Sequence, residues 1–337
     1  MKQIVAELSW VSASRAGIVI FVLGLLFLGT MRVGQAQNKI RVPRDYATIQ
    51  DAVDNANPGD EIEVGRGRWC GAIIDKPLEL EGDDAVIIAC PSNFGPDELK
   101  IGFRLLNTAS GTTIEGFVFD GRGYSDADTT PLGLGISSQL GTNDVEVEEN
   151  RFLGGGGGIT INGSGWSVSE NVFNGFTIIN PSHPLVPCFG GFAIVSEGRP
   201  DRFTNNAFTY NTIKTTVPEG DLSSCSWISP VDSPQVYVPF VGIAVAGQDG
   251  VKISGNKTSI ASNSDGNAGA GIIASDVLDF VSLTTINIKI KSNDGRKSKY
   301  ALIIPLDQSA GTGNTVGARI SDNLGINIIN GVKKKVK

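Results

Sequence analysis

The sequence predicts an all-β solenoid, a chain that winds through short strands and stacks each turn on the one before. Three observations predict it. The stretch "ENRFLGGGGGITINGSGWSVSENVFNGF", Glu149–Phe176, states one pattern twice: Asn150 leads to Phe152, and Asn171 leads to Phe173. The pattern recurs at Asn206–Phe208, at Asn256–Thr258 and in the turn around Asn323. Short alternating apolar runs flank these asparagines, among them Ile159/Ile161, Ile243/Val245 and Ile286/Ile288/Ile290, and alternation is the period of a half-buried strand. The composition agrees, with 43 glycines in 337 residues and only 19% charged residues. Val, Ile, Thr, Ser, Asn and Gly dominate, as in strands joined by tight turns. Repeats of about 20–50 residues mark solenoids, because no single turn can bury its own apolar side chains.

The elements follow in order. Residues 1–36 precede the fold. Lys2 and Arg15 lead into an apolar run, Gly17 to Leu28, shorter than the roughly 20 residues that span a bilayer. Gly34-Gln35-Ala36 then offers small residues where a signal peptidase reads them. A secretory signal cleaved after Ala36 is expected, an uncleaved membrane anchor being the alternative. Next, Ile49, Ala52, Val53 and Ala56 share one helical face, and Pro58-Gly59 stops the helix. A short helix over about 46–57 suits a lid on the open end of a stack, where unpaired strand edges invite aggregation. The solenoid then occupies 37–332, and 333–337 is a basic solvated tail around Lys333-Lys334-Lys335.

The repeated asparagine has a physical role in such a stack. Coils lie about 4.8 Å apart, so one amide can bond to the next, as in side-chain ladders of cross-β structures. Asn also tolerates the left-handed backbone of a tight corner. Asn150, Asn171 and Asn206 are expected to form the ladder. Phe119, Phe152, Phe173 and Phe208 are expected to form an interior column beside it. An antiparallel β-sandwich is the competing arrangement, but sandwiches do not ask for Asn at repeating corners.

The segment "YATIQDAVDNANPGDEIEVGRGRW", Tyr46 to Trp69, followed by "IIDKPLELEG", resembles the opening of the pectin-lyase-like superfamily. The resemblance covers most of residues 38–332. It implies a single-stranded right-handed parallel β-helix with a short N-terminal capping helix, and Trp69 stands where the aromatic of the family's first corner usually sits. It also associates the chain with polysaccharides. The motifs of individual enzyme families are missing: the Gly-His-Gly and Arg-Ile-Lys of polygalacturonases, the Asp-Pro-His-Asp of mannuronan epimerases, and the Leu-Gly-Arg-Pro-Trp of pectin methylesterases. "RPDR" at 199–202 does not meet the pectate-lyase spacing.

Four cysteines in an exported chain suggest two disulfides. Cys70 and Cys90 stand 20 residues apart, about one repeat, so Cys70–Cys90 and Cys188–Cys225 are the expected pairs among three possible connectivities. Insertions in repeat folds gather on one face, and three interrupt the coils: Asp120 to Pro131, Asn180 to Cys188 and Val217 to Pro239. The second disulfide would fasten the last two into a wall beside a groove.

The first insertion holds the best chemical cluster. Asp120, Asp126 and Asp128 surround Arg122 and Tyr124. Asp126 and Asp128 are candidate hard-oxygen ligands for Ca²⁺. Asp120, Arg122 and Tyr124 are candidate catalytic groups for eliminative cleavage of an acidic polysaccharide, with Arg or Tyr as the base. The plain alternative is a solvated acidic loop, since the spacing is not that of an EF-hand. Carboxylate pairs for glycoside hydrolysis would have to meet between coils about 5–9 Å apart, with Asp249, Asp265 and Asp276 as candidates. His183 is the sole histidine and excludes multi-histidine metal sites. Gly154–Gly158 is no phosphate loop, lacking the following Lys-Ser/Thr; it reads as a flexible corner. Tyr124, Trp166, Trp227 and Tyr237 are candidate platforms for sugar rings if exposed, core or inter-coil packing being the commoner fate of any one of them.

The formal net charge is −7, and losing Lys2, Arg15, Arg32 and Glu7 makes the remainder two units more negative. An acidic body argues against nucleic-acid binding. The expected function is therefore binding of a polysaccharide or a cell-envelope component along the long face, without a demonstrable catalytic motif and with no cofactor or at most Ca²⁺. A polysaccharide lyase or glycoside hydrolase is the alternative.

Overall fold

The computed structural model describes residues 37–90, 99–122, 132–179, 189–198, 201–217, 227–229, 236–238, 240–264, 268–274, 285–304, 315–316, 318–329 and 332–336. In the large sheets the strands pair in parallel with the strand one turn further along, so the chain is a parallel β-helix. Three short antiparallel pairs stand apart from this pattern: Ile178–Ile179 with Phe189–Gly190, Trp227–Ser229 with Val236–Val238, and Gly325–Ile329 with Val332–Val336. Sheet 1 has ten strands, from Lys39–Val42 through Glu61–Val64 to Arg319–Ser321. Sheet 2 has seven, from Gly67–Cys70 to Lys257–Ala261. Sheet 3 has ten, from Ala72–Ile74 to Gly325–Ile329 with Val332–Val336 added at its end. A fourth sheet of four two-residue strands, Phe203–Thr204 to Thr315–Val316, appears only in the later coils.

Alternation sets what lies inside. In sheet 1 the inward column is Ile62, Leu80, Ile114, Val147, Val168, Phe208, Ile253 and Ile290, all fully buried and in register. In sheet 2 the rings of Phe119, Phe152 and Phe173 stack with centroids 4.7 and 4.6 Å apart and planes within 8°. Ile213 and Thr258 continue that column. Phe208 therefore belongs to sheet 1 between Val168 and Ile253, not to the phenylalanine stack expected from the sequence.

The corner between sheets 1 and 2 carries a ladder of six asparagines: Asn150, Asn171, Asn211, Asn256, Asn293 and Asn323. Each Nδ2 donates to the Oδ1 of the next, at 2.8–3.2 Å. The backbone N–H of each donates to the same oxygen, at 3.0–3.1 Å. The residue before each ladder Asn is left-handed, including Glu149 (φ 54°), Glu170 (φ 58°), Tyr210 (φ 56°) and Ser292 (φ 56°). Asn206 is not in this ladder. It follows left-handed Asn205 (φ 59°) at the corner that enters sheet 1, where its Oδ1 accepts from Trp166 N and its Nδ2 donates to Gln248 Oε1. The same dipeptide device serves two different corners, and Asn211 takes the ladder position. A further corner, at Asn287 (φ 54°), interrupts the run Ile286–Ile290.

The N-terminal helix α1 (Ile49–Asn55) is capped by Thr48, whose Oγ1 accepts from Asp51 N at 3.0 Å. Its Ile49, Ala52 and Val53 close the top of the core. Gln50 accepts from Ile73 N and donates to Ile73 O, which satisfies the first strand of sheet 3 at its open edge. Lys76 Nζ donates to Val53 O and Ala56 O at the other helix end. Cys70 and Cys90 are disulfide-bonded across the first two coils; Cys188 and Cys225 lie outside the described residues. The lower end differs from expectation. Val332–Val336, read from the sequence as a basic tail, is a strand antiparallel to Gly325–Ile329. Lys on an edge strand discourages further pairing.

Candidate functional site

Sheet 3 is closed on both sides in its later coils. Val241, Ala244, Ala270, Ile273 and Ile303 face away from the core yet are at most 1% exposed. Buried parallel strands read as continuous apolar runs, and "FVGIAVA" and "GAGIIA" do so. The outer face of sheet 2 is different. Its outward residues include exposed Arg68, Arg151, Val172, Thr212, Lys214 and Lys257.

Two concavities lie along this face. The first, about 290 Å³, is lined by Gly121, Arg122, Leu153, Gly154, Gly155, Asn174, Gly175 and Thr177. Its floor exists because glycines let three coils approach. A Cβ on Gly154 would sit 2.7 Å from the Arg122 backbone, and Gly154 (φ 67°) and Gly155 (φ 76°) are left-handed. The second, about 340 Å³, is lined by Thr212, Ile213, Lys214, Lys257, Thr258, Ser259, Asp294, Arg296 and Lys297.

One device edges both. Asp120-Gly121-Arg122 and Asp294-Gly295-Arg296 are the same tripeptide, folded alike. In each, Arg Nε donates to Asp Oδ1 at 2.9 Å and Arg N donates to the same oxygen at 3.2 Å. The second guanidinium nitrogen donates to Oδ2, at 3.0 Å for Arg122 and 2.6 Å for Arg296. Asp120 is buried, and Arg68 adds a more distant contact at 3.7 Å. The Arg122 hydrogen bonds hold the Asp120 carboxyl below its ordinary range against the opposing effect of burial. Reciprocally, Asp120 pushes the Arg122 guanidinium up. A base must give up its proton near neutrality, and this pairing favours the protonated guanidinium of Arg122. Asp294 and Arg296 shift each other the same way.

Tyr124, Asp126 and Asp128 lie outside the described residues, as do His183, Asp265 and Asp276. Asp249 accepts from Asn287 Nδ2 at 2.9 Å in the fourth sheet, away from the sheet 2 face. Among the described residues no group of three His, Cys, Asp or Glu side chains could hold a metal ion. Trp166, one of the candidate sugar platforms, takes the commoner fate of core packing: it is fully buried and donates from Nε1 to Thr142 O.

The basic character of sheet 2 escaped sequence reading. Arg68, Arg122, Arg151, Lys214, Lys257, Arg296 and Lys297 against Asp120 and Asp294 make this face positive on an acidic chain. The recurrent Asp-Gly-Arg was the legible signal.

No protein-family model matches the chain, and no curated protein sequence matches it. Among solved structures it is similar to a pectin methylesterase in complex with hexasaccharide VII, at 10% identity, a TM-score of 0.38, and coverage of 86% of this chain and 90% of that one. It is also similar to the catalytic domain of an α-1,3-glucanase in complex with nigerose, at 14% identity, a TM-score of 0.25, and coverage of 88% and 66%. The chain is a parallel β-helix protein on its own sheet topology. Among the described residues no helix is long and apolar enough to cross a membrane.

Proposed function

We propose that the protein is exported and binds an acidic polysaccharide along the outer face of sheet 2, with the glycan running parallel to the helix axis. The observation that carries this reading is the basic lining of the second concavity. Lys214, Lys257 and Lys297 supply positive charge beyond that matched by the Asp294–Arg296 pair. Carboxylate or sulfate groups are the complementary chemistry. The coil spacing of about 4.8 Å is comparable to the rise per sugar of an extended glycan, so successive coils can meet successive anionic groups. The Cys70–Cys90 disulfide fits an oxidising compartment. The Asp120–Arg122 pair acts here as a fixed anion-facing corner and not as acid and base.

Titration calorimetry of the purified protein with polygalacturonate, alginate and a neutral dextran tests the reading. The two polyanions bind, the dextran does not, and affinity falls as NaCl is raised. Lys214→Ala with Lys257→Ala weakens binding about tenfold or more, the equivalent of roughly 1.4 kcal/mol or more. Equal binding of dextran, or indifference to both lysines, overturns it. Absorbance from unsaturated uronates during the titration would reassign the protein as a lyase.

A further inference from the structure

The outer face of sheet 1 carries its charge in two blocks. Glu79, Glu81, Glu115, Glu146 and Glu148 point outward from three consecutive strands of the sheet. Lys252, Lys289, Lys291 and Arg319 point outward from three consecutive strands further down. Between the blocks, Ser167–Ser169 and Ala207–Thr209 present no charge. All of these side chains are exposed or half-buried. Above the acidic block the face is neutralised internally, Lys39 pairing with Glu61 at 2.6 Å and Arg41 with Glu63 at 3.0 Å, and Lys39 also reaches Glu81 of the block at 3.7 Å. No ion pair among the described residues engages Glu115, Glu146 or Glu148.

We propose that the protein self-associates through this face, as two antiparallel copies related by a two-fold axis that lies along the strand direction between the uncharged strands. Such an axis keeps strand direction and reverses coil order. Each strand of one copy then faces a set partner: Glu146 meets Lys252, Glu115 meets Lys291, and Glu79 meets Arg319. The register is fixed by the sheet itself, since Glu146 aligns with Ser167, Ala207 and Lys252 in one column. Each pair occurs twice, as isologous symmetry requires. No other placement of the axis along the sheet opposes the two blocks in full.

Support comes from the crowding of the acidic block. Burial and the neighbouring Glu148, Glu81, Glu79 and Glu149 push the Glu115 carboxyl up, and a second copy supplies the countercharge that Glu115, Glu146 and Glu148 do not find in ion pairs among the described residues. The area is modest. Eight strands about 4.8 Å apart, three residues wide at about 3.4 Å each, give on the order of 350 Å² per copy from the strands. That is below the roughly 800 Å² per partner of a standard interface. The association is accordingly weak, reversible and salt-sensitive. It uses a different face from the proposed glycan site, so either reading stands without the other.

Sedimentation equilibrium of the purified protein over a concentration series, at low and at high NaCl, reads the outcome directly. A dimer at low salt that dissociates at high salt is expected. Glu115→Lys with Glu146→Lys yields a monomer, and so does Lys252→Glu with Lys291→Glu. Mixing the two variants restores a dimer, because each reversed block then meets its complement. Far-UV circular dichroism confirms that both variants remain folded, and the salt dependence of the unaltered protein decides the matter without them. A monomer at every concentration and low salt overturns the proposal. So does a dimer insensitive to both double substitutions, or a mixture that stays monomeric. Higher oligomers growing without limit would instead indicate head-to-tail contact and would also overturn it.

Discussion

The side-chain amide of Asn171 donates to Oδ1 of Asn211, 40 residues further along the chain, at 3.2 Å. Its two other donor contacts reach Val147 O and Ser169 O, and its own Oδ1 accepts from both nitrogens of Asn150. Every hydrogen-bonding position of a fully buried side chain is thus filled. Replacing Asn171 with Ala orphans groups on three coils, each at about 1–3 kcal/mol. A total loss of about 3–5 kcal/mol is expected, read as a lowered urea midpoint. Asn171→Asp is no substitute, since a carboxylate cannot donate to Asn211 Oδ1 and would be a buried charge. Asn323→Ala at the end of the ladder costs less.

The two readings of Asn206 and Phe208 show what the sequence could and could not deliver. Asn, then any residue, then Phe is a true mark of the ladder corner at Asn150 and Asn171. At "TNNAFTYNTIK" the same spacing falls one corner early, because Asn205-Asn206 uses the left-handed-then-Asn device at the entry to sheet 1. The real ladder residue, Asn211, is followed by Thr-Ile, which matches no phenylalanine pattern. Phe152 sits between stacked rings, so Phe152→Ala is expected to cost about 3–5 kcal/mol. Phe208 sits between Val168 and Ile253, so Phe208→Ile is expected to cost less than about 1.5 kcal/mol. Thermal midpoints of Phe152→Ile and Phe208→Ile, compared directly, check the distinction; Phe152→Ile is the worse of the two.

The glycine run at 154–158 is legible as a corner but not as two different things. Gly154 and Gly155 form a left-handed corner, whereas Gly157 and Gly158 lie in a sheet 3 strand. A Cβ on Gly158 would meet the Phe173 ring and Ala193 O at 2.5 Å. Gly158→Ala is therefore expected to push the aromatic stack out of register and destabilise by about 1–3 kcal/mol, the usual range of overpacking. Gly175 (φ 78°) is open, with only Gly154 N near, at 3.9 Å. There Gly175→Ala is expected to cost only the left-handed backbone, about 1 kcal/mol. Chemical denaturation of the pair separates crowding from backbone strain.

The candidate site was less legible than the fold for a geometric reason. Arg151, Lys214 and Lys257 are single charges scattered over more than a hundred residues, and only stacking brings them to one face. Of the acidic cluster that draws the eye in sequence, Asp120 is the member among the described residues, and it is taken up by Arg122. Arg122→Ala leaves that buried carboxylate with only the backbone N–H of residue 122 and the distant Arg68. A stability loss of about 3 kcal/mol is expected at neutral pH, recovered in the double variant Asp120→Asn with Arg122→Ala. Failure of the second change to restore the urea midpoint would show that the pair does not act as a unit.

Two carboxylates give stability opposite dependences on pH. Burial raises Asp60, but the N–H groups of Asn57 and Asn38 and their side-chain amides outweigh it and hold the carboxyl below its ordinary range. Its contribution is present above the unfolded value and is lost as pH falls through the folded one. Glu115 is raised by burial and by its glutamate neighbours. Its contribution is full below the unfolded value and is lost as pH rises through the folded one. Glu115→Gln is therefore expected to raise the thermal midpoint at pH 7 and to change little below the ordinary glutamate range. Asp60→Asn is expected to lower the midpoint at pH 7, with the deficit closing under strong acid. Thermal melts of both variants from pH 7 down to about 3 give curves that diverge from the unaltered protein in opposite directions at neutrality.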